Sequence, residues 1–371
     1  MIALHGIWTW VSDENRAILV DIVRRKLAIG GLLYVSYNCT PGWAAAMPLR
    51  HLMTIQSEMA GSDEKGIVGR IEGALAFVQK VADSGGEYFG ANPAVVEKFN
   101  ALKNQNRNYL AHEYFNRDWH PMPFSQVAEM FSAAKVNFAA SADLLNHTDA
   151  LNLTQKGQQL LAEINHPILR DSVRDYLVNT QFRKDIFVKG ARSMALIEQI
   201  GRLGLQGFVL TTPPAEIALT IPCTIGEVVL EDALYKPLID LLAENGYASK
   251  TINEMCVSPL LPARRFVELI EAVMILTGLG HVHPTQNAEA VKSARPHCDA
   301  LNSYIIRRAL YGNTIGVLAS PLIGAGVAVD RFEQLFLLAR QNEHVEPESW
   351  ADFAWGCQLL TFLCPDIDAY P

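Results

Sequence analysis

The sequence predicts a mixed α/β and α fold in three parts. A strand–helix–strand pattern fills residues 1–60, helical periodicity dominates residues 61–195, and helices with a few strands fill residues 196–371. We therefore expect a truncated, doubly wound α/β piece, an α-rich middle domain and a winged-helix-like C-terminal domain. The length of 371 residues agrees with two to three domains.

The first part begins with a short apolar run at residues 2–4, which predicts the end of a buried strand. Ser12 then predicts a helix start, because its hydroxyl can cap the first turn, and Gly30 predicts where that helix stops. Residues 32–37 form a continuous apolar run, which is typical of a parallel strand buried on both faces. Two strands are too few for a typical sheet of about five or six, so this piece is expected to lack sheet neighbours.

The remaining elements follow from apolar spacing. The first part is expected to end with a helix at 44–60. In the middle domain we expect a strand at 136–141 and helices at 67–83, 92–107, 125–135, 155–165 and 167–179. In the C-terminal domain we expect strands at 207–210, 227–230 and 280–283, and helices at 231–245, 249–256, 262–277, 297–311, 328–341 and 348–361. Three helices with a strand pair indicate a winged helix.

Composition excludes several classes of function. The chain carries 31 Lys and Arg against 39 Asp and Glu, a net charge of −8, which argues against a nucleic-acid partner. Its six cysteines form no CxxC pair and predict buried, reduced thiols in the cytoplasm. No apolar run is long enough for a membrane span, and no GxSxG or P-loop motif is present.

Three stretches carry a resemblance to a known family. They are residues 4–11 (LHGIWTWV) together with 34–38 (YVSYN), then 109–116 (YLAHEYFN), and then 182–190 (FRKDIFVKG). In this order they resemble bacterial class I S-adenosylmethionine-dependent methyltransferases that carry a methyltransferase regulatory domain, a group that includes protein-lysine methyltransferases. The resemblance implies S-adenosylmethionine as the cofactor, a protein as the substrate and lysine methylation as the reaction.

The sequence departs from this family where the cofactor loop should lie. No strand–GxG–helix unit precedes His5, and Gly324 to Gly326 read as a strand with a turn. We therefore expect a Rossmann-like methyltransferase remnant that lacks its N-terminal cofactor-binding half. Such a chain alone should bind S-adenosylmethionine poorly and be weakly active or inactive.

Candidate site residues lie at the carboxyl ends of the two N-terminal strands, where open α/β sheets bind ligands. The resemblance implies cofactor contacts from His5, Gly6 and Trp8, and catalytic roles for His5, Tyr37 and Asn38. The imidazole of His5 could accept a proton or orient a ligand. Alternatively, the histidine only bonds the backbone, and the aromatic rings only close the sheet against the middle domain.

A second candidate group is Tyr109, His112 and Glu113, which share one face if the segment is helical. The resemblance implies that this face borders the methyl-transfer cleft, where a carboxylate can bind an ammonium group and His112 can accept its proton. The alternative is a structural hydrogen-bond cluster. A zinc site of the HExxH type is excluded because Asn116 stands where the second histidine is required.

No metal site is predicted. His281, His283, His297 and Cys298 lie near one another in sequence, but their spacing fits no metal-binding template.

Two other functions remain as alternatives to the enzyme. One is a non-catalytic regulatory or protein-interaction module. The other is a winged-helix nucleic-acid binder, but its candidate recognition helix pairs Arg264 and Arg265 with Glu268 and Glu271, which leaves few phosphate contacts. We therefore expect no nucleic-acid partner.

Overall fold

The computed structural model describes residues 1–61, 66–261 and 265–363. The chain divides into two compact units, of which the first comprises Met1–Met194 with Thr220–Val229, and the second Ala195–Leu219 with Leu230–Pro371. The division falls at the predicted boundary near residue 195, whereas residue 60 lies inside the first unit.

The first unit contains a four-stranded sheet built from β1 (Ile2–Leu4), β2 (Leu32–Asn38), β3 (Val136–Ser141) and β4 (Phe182–Lys189). The strand order is β1-β2-β4-β3. β1 is parallel to β2, and β4 is antiparallel to both of its neighbours. The sheet therefore continues across residue 60. Two of its strands, the predicted β3 and the unpredicted β4, come from the region expected to be α-rich, so the N-terminal strands do have the sheet neighbours that they were expected to lack.

Ten helices are described between residue 1 and residue 194, beside short 3₁₀ turns such as Trp8–Trp10. They are α1 (Asp13–Lys26), α2 (Met47–Met59), α3 (Gly66–Asp83), α4 (Glu87–Ala91), α5 (Pro93–Lys103), α6 (Arg107–Tyr114), α7 (Phe124–Ser132), α8 (Asp149–Asn152), α9 (Gln155–Ala162) and α10 (Pro167–Val178). The Ser12 cap is confirmed, since its hydroxyl accepts a hydrogen bond from the Asn15 N–H at 3.4 Å.

The two faces of the sheet differ. Strand residues alternate between faces, and Leu33, Val35 and Tyr37 point to a face that is fully buried. On the other face Leu32 is 40% exposed and Tyr34 is partly exposed, whereas Ser36 and Asn38 are buried. The predicted burial on both faces therefore holds for the second half of the strand and is wrong for the first half. The buried core joins the sheet to α1 and α7: Leu4, Trp8, Val23, Leu27, Leu33, Val35, Tyr37, Cys39, Met122, Phe124, Val127, Ala128, Phe131, Ala134, Val136 and Phe187.

Helices α2 to α6 form a second core within the same unit. Its buried members come from every one of these helices: Leu49, Met53, Ile71, Ala74, Leu75, Val78, Phe89, Val95, Phe99, Leu102, Leu110 and Tyr114. This helical insertion lies between β2 and β3 in the chain and ends at α6, the helix that carries the second predicted group of site residues.

Beyond residue 195 the strands are β5 (Gly207–Leu210), β6 (Thr220–Cys223), β7 (Gly226–Val229), β8 (Lys250–Thr251), β9 (Val282–Pro284), β10 (Val317–Ser320) and β11 (Ala325–Ala328). The helices are α11 (Leu196–Gly204), α12 (Asp232–Tyr247), α13 (Ile252–Val257), α14 (Phe266–Gly278), α15 (Ala288–Arg308), α16 (Arg331–Gln341) and α17 (Pro347–Leu363). Three of these strands form one sheet, in the order β8-β5-β9.

The winged helix remains a prediction. Its three expected helices are present as α12, α13 and α14, and β9 follows them. The expected strand at 227–230, however, pairs with β6 in a hairpin that belongs to the first unit. The central position of the sheet in the second unit is taken instead by β5, which precedes the helices.

The sequence also predicted that the cysteine thiols are buried and that no segment spans a membrane. Cys39 and Cys357 are buried, but Cys223 and Cys298 are only partly buried and Cys256 is exposed, so the predicted burial is wrong for these three. Cys364 lies outside the described residues. Within the described ranges, no helix has both the length and the apolar content needed to cross a bilayer.

Phe131 tests the packing of α7 on the sheet. Its fully buried ring lies 4.4 Å from the Trp8 ring and 5.3 Å from the Phe187 ring, measured between centroids. Phe131→Ala should lower the free energy of unfolding by about 3–5 kcal/mol, because the substitution leaves a cavity. Urea denaturation followed by circular dichroism measures this. The control Phe77→Ala, at a site 41% exposed on α3, should cost less than half as much; equal losses would contradict this account of the core.

Candidate functional site

The first candidate site is a corner at the carboxyl ends of β1 and β2. Ala3 pairs with Tyr34 and Leu4 with Val35, so the next residue, His5, comes to lie beside Ser36 on the less buried face. His5 Nδ1 lies 3.0 Å from Tyr34 Oη and 3.2 Å from Ser36 Oγ, and the imidazole stacks on the Tyr34 ring. The imidazole is thus held in place while remaining exposed to solvent.

Gly6 turns the chain at this corner. Its φ of +61° lies in the left-handed region that favours glycine, and a Cβ there would meet no atom within 4 Å. Its N–H donates to Ser36 Oγ at 2.8 Å. The corner therefore offers an exposed ring and an open stretch of backbone to a ligand.

The other predicted residues of this corner lie inside the core. Trp8 is fully buried, and its Nε1 has no hydrogen-bond partner among the described residues. Tyr37 is fully buried and Asn38 is 6% exposed. The Asn38 N–H donates to Thr9 Oγ1 at 3.3 Å. These side chains present no surface to a ligand, and the sequence missed this because burial is decided by residues distant in the chain.

The second predicted group lies on α6 and does form one cluster. Asn106 caps the helix by accepting from the N–H groups of the first turn. His112 Nδ1 lies 3.2 Å from Glu113 Oε1, and the His112 side chain is 68% exposed. Tyr109 is half exposed, and burial with the nearby Glu113 charge raises its pKa.

Trp10 connects α6 to the N-terminal corner. Its ring lies 5.4 Å from the His112 ring, and the Thr9 carbonyl accepts a hydrogen bond from the His120 N–H at 2.9 Å. The 3₁₀ turn Trp8–Trp10 that follows the His5 corner thus contacts α6 directly. The structure brings the two predicted groups to the same region of the first unit.

Aromatic faces near this region are already occupied by cations of the chain. The Lys98 ammonium lies 3.6 Å from the centre of the Trp43 ring, and the Arg50 guanidinium lies 4.4 Å from that of Trp119. Burial lowers the pKa of Lys98, and it lowers that of Arg50 to about 10. The sequence alone could not reveal these partners, because each cation lies more than fifty residues from its ring along the chain.

The sequence did not predict a buried charge network, although part of it lies in the stretch 182–190. Arg183 Nε lies 2.9 Å from Asp185 Oδ2, and Arg183 Nη1 lies 2.8 Å from Asp175 Oδ1. Tyr37 Oη donates to Asp185 Oδ2 at 2.7 Å. The available signal was the spacing of carboxylates on α10, at 171 and 175, which places both on one helix face.

The network shifts the ionisation of its members. Burial raises the pKa of the Asp185 and Asp175 carboxyls, while the Arg183 charge opposes the shift. Burial likewise raises the pKa of Tyr37 and of the Cys39 thiol, whose Sγ lies 3.6 Å from Asp175 Oδ2. Cys39 is therefore a protonated thiol at neutral pH and not a nucleophile.

The remaining sequence candidates are placed as follows. His281 Nδ1 lies 3.1 Å from Thr212 Oγ1, and burial lowers the pKa of this histidine. Within residues 1–61, 66–261 and 265–363, no group of three or more His, Cys, Asp or Glu side chains is placed to hold a metal ion. Gly324 forms the turn between β10 and β11, as predicted. Arg264 lies outside the described residues, and Arg265 Nε lies 2.9 Å from Glu268 Oε1.

Comparison with known proteins identifies the fold first. The structure of PKMT2 from Rickettsia typhi in complex with AdoHcy covers 96% of this chain and 78% of its own, with a TM-score of 0.58 and 15% sequence identity. A second structure of PKMT2 from Rickettsia typhi covers 97% of this chain with the same TM-score. The protein therefore has the PKMT2 fold, and its mixed α/β class is confirmed.

Sequence comparison then shows the family. The uncharacterized protein sll1526 of Synechocystis sp. (strain ATCC 27184 / PCC 6803 / Kazusa) is 39% identical over 354 residues, which are 95% of this chain and 68% of that protein. The chain belongs to the family of this cyanobacterial protein. The uncharacterized protein RP789 of Rickettsia prowazekii (strain Madrid E) is 29% identical over 185 residues, 49% of this chain and 32% of that protein.

A family model places the regulatory segment. Residues 106–189 match the model described as a predicted methyltransferase regulatory domain, which confirms the resemblance in its broader form. This segment contains α6 and strands β3 and β4. The structural matches extend over nearly all of the chain and give no support to the expected loss of a cofactor-binding half.

Removing the Tyr37 hydroxyl tests whether it stabilises the charge network, because the loss of stability should depend on pH. Tyr37→Phe should cost about 1.5–3 kcal/mol of unfolding free energy at pH 7, because a buried carboxylate loses a donor. Asp185 has a raised pKa in the folded state, so wild-type stability falls as pH rises through that value, and the variant should extend this loss to higher pH. The cost of the substitution should therefore shrink from pH 7 to pH 4, as measured by urea denaturation at each pH.

The matched control is Tyr88→Phe. Tyr88 Oη donates to the Ala45 carbonyl at 2.6 Å and accepts from the Leu49 N–H at 3.2 Å, so it bonds only neutral groups. Its loss should cost the same at both pH values. A Tyr37→Phe cost that does not change with pH would show that the hydroxyl does not stabilise the ionised form of Asp185.

Proposed function

We propose that the protein is an S-adenosylmethionine-dependent methyltransferase with a methyltransferase regulatory domain, and that it acts on protein lysine. The observation that carries the proposal is the regulatory-domain match at residues 106–189 within a chain that has the fold of a protein solved with AdoHcy. AdoHcy is what remains of S-adenosylmethionine after the methyl group has been transferred. As part of this proposal we place the protein in the cytoplasm, where reduced cysteines are the norm.

Of the three residues predicted to contact the cofactor at the N-terminal corner, two are accessible to it and one is not. The exposed His5 ring and the open backbone at Gly6 are available for contact, whereas the Trp8 ring is buried against Phe131. When bound, S-adenosylmethionine supplies a methyl group on a positively charged sulfur. His5 would contact the cofactor with the ring orientation that Tyr34 and Ser36 fix.

The α6 cluster would receive the substrate amine. The Glu113 carboxylate can attract a lysine ammonium, and the adjacent His112 imidazole can accept its proton, which frees the nitrogen lone pair for attack. Trp10 and His112 lie together at this point, so an aromatic face is available to the alkyl chain of a lysine. The contribution of the protein in this account is mainly positioning and exclusion of water.

Calorimetry tests the proposal at the cofactor. The chain titrated with S-adenosylmethionine should give saturable binding, and His5→Ala should weaken that binding about tenfold, which is the loss expected for one hydrogen bond or ring contact. The control is His283→Ala, on β9 in the second unit, which should bind as the wild type does. No detectable binding by the wild type would favour the non-catalytic interaction module instead.

Methyl transfer tests the substrate class. The chain incubated with methyl-labelled S-adenosylmethionine and a lysine-rich test protein should label that protein, and prior acetylation of the lysines should abolish the label. Glu113→Gln should lower the labelling rate at least tenfold, because the ammonium loses its counter-charge. The control Glu87→Gln, in the first turn of α4, should leave the rate unchanged. Equal labelling of the acetylated protein would rule out lysine as the acceptor.

A further inference from the structure

A cavity of about 290 Å³ lies in the first unit, away from the corner at His5. It is bounded by α10, by the adjacent strands β3 and β4, and by the segment that joins β3 to α8. Every residue that lines it falls within 106–189. Its ionisable lining comprises His147, Asp149, Arg170, Asp171, Arg174, Asp175, Arg183, Lys184 and Asp185.

The charges in this cavity are unevenly distributed. At one end a single guanidinium, that of Arg183, pairs with Asp185 and Asp175 and lies 3.3 Å from Asp171. These carboxylates are thereby held by a charge of opposite sign. Because three carboxylates share one guanidinium, this end of the cavity carries excess negative charge.

The other end has the opposite imbalance. Arg170 and Arg174 both pair with Asp149, so two guanidiniums share one carboxylate and one positive charge is left over. The Arg174 side chain is only 7% exposed, and its Nη2 has no hydrogen-bond partner among the described residues. A buried guanidinium N–H without an acceptor is costly, so this end lacks a negatively charged acceptor.

We propose that this cavity binds a small molecule through a carboxylate or phosphate group held by Arg170 and Arg174. Planar guanidiniums match both kinds of oxyanion and bind them through paired N–H donors. The volume is at the small end of ligand sites, which suits a metabolite-sized anion rather than a nucleotide or a peptide. The ligand accepts hydrogen bonds from the guanidinium groups of Arg170 and Arg174, both of which line the cavity.

One cation, Lys184, and one imidazole, that of His147, also line the cavity and support the same ligand class. Lys184 is 44% exposed, and its Nζ lies 3.9 Å from Asp143 Oδ2, a distance at which an incoming anion can compete. His147 Nε2 lies 2.8 Å from the Ser141 carbonyl, which fixes its ring at the cavity wall. Asp171 also faces the cavity, but the nearby Arg183 offsets its repulsion of an anion.

Titration calorimetry with two probes tests the proposal and separates the two ligand classes. The full chain is titrated with sodium phosphate and, separately, with sodium succinate, at an ionic strength kept constant with sodium chloride. Saturable binding of phosphate alone identifies a phosphate site, and saturable binding of succinate alone identifies a carboxylate site. Binding of both supports the shared oxyanion chemistry. The absence of saturable binding by either probe up to about 10 mM, the range of the weakest specific binding, overturns the proposal.

Variants decide whether the binding occurs in this cavity. Arg174→Met and Arg170→Gln should each weaken binding at least tenfold, because each removes charge-assisted hydrogen bonds. The matched control Arg25→Gln removes a 55% exposed arginine of α1 that pairs with Asp21, and it should bind as the wild type does. Binding unchanged in both cavity variants overturns the proposal.

The Arg170→Gln variant keeps the test decisive if Arg174→Met does not fold. Arg174 is buried, so Arg174→Met is first checked by circular dichroism, whereas Arg170 is 38% exposed and its substitution leaves the core intact. If Arg174→Met does not fold, the Arg170→Gln titration decides alone. Since none of these titrations contains S-adenosylmethionine, their outcome is independent of the proposed methyltransferase activity.

Discussion

A single buried guanidinium, that of Arg183, joins three elements of the first unit. It lies on β4, pairs with Asp175 on α10 and with Asp185 on its own strand, and reaches β2 through the bond from Tyr37 to Asp185. Removing one partner from such a set leaves an uncompensated buried charge, which is far more costly than losing a surface ion pair. The antiparallel contact between β2 and β4 therefore depends on complete pairing in this network.

The network also positions the carboxyl end of β2. Tyr37 and Cys39 are tied to Asp185 and Asp175 respectively, so the end of this strand is fixed from the buried face. The register between β1 and β2 then places His5 beside Ser36 on the opposite face. The exposed corner is consequently held in position by a network of largely buried charges.

The tryptophans of the first unit have two different structural roles, packing in the core and binding a cation. Trp8 packs inside the core, while Trp43 and Trp119 carry the cations Lys98 and Arg50. The sequence could not separate these roles, because the cation above Trp43 comes from a helix distant along the chain. Trp10 is partly exposed and contacts a predicted site residue, namely His112.

The sequence by itself determined the local elements and the resemblance that the regulatory-domain match confirms. Caps such as Ser12, the apolar spacing of the helices and the strand at residues 32–37 are local signals, and each needs only a few neighbouring residues. Only the tertiary structure decided that β3 and β4 complete the sheet, that Trp8 and Tyr37 are buried, and that Arg170 and Arg174 share one carboxylate. The physical reason is separation along the chain: Tyr37 and Asp185 lie 148 residues apart, and no local pattern specifies which distant charge will share a buried site.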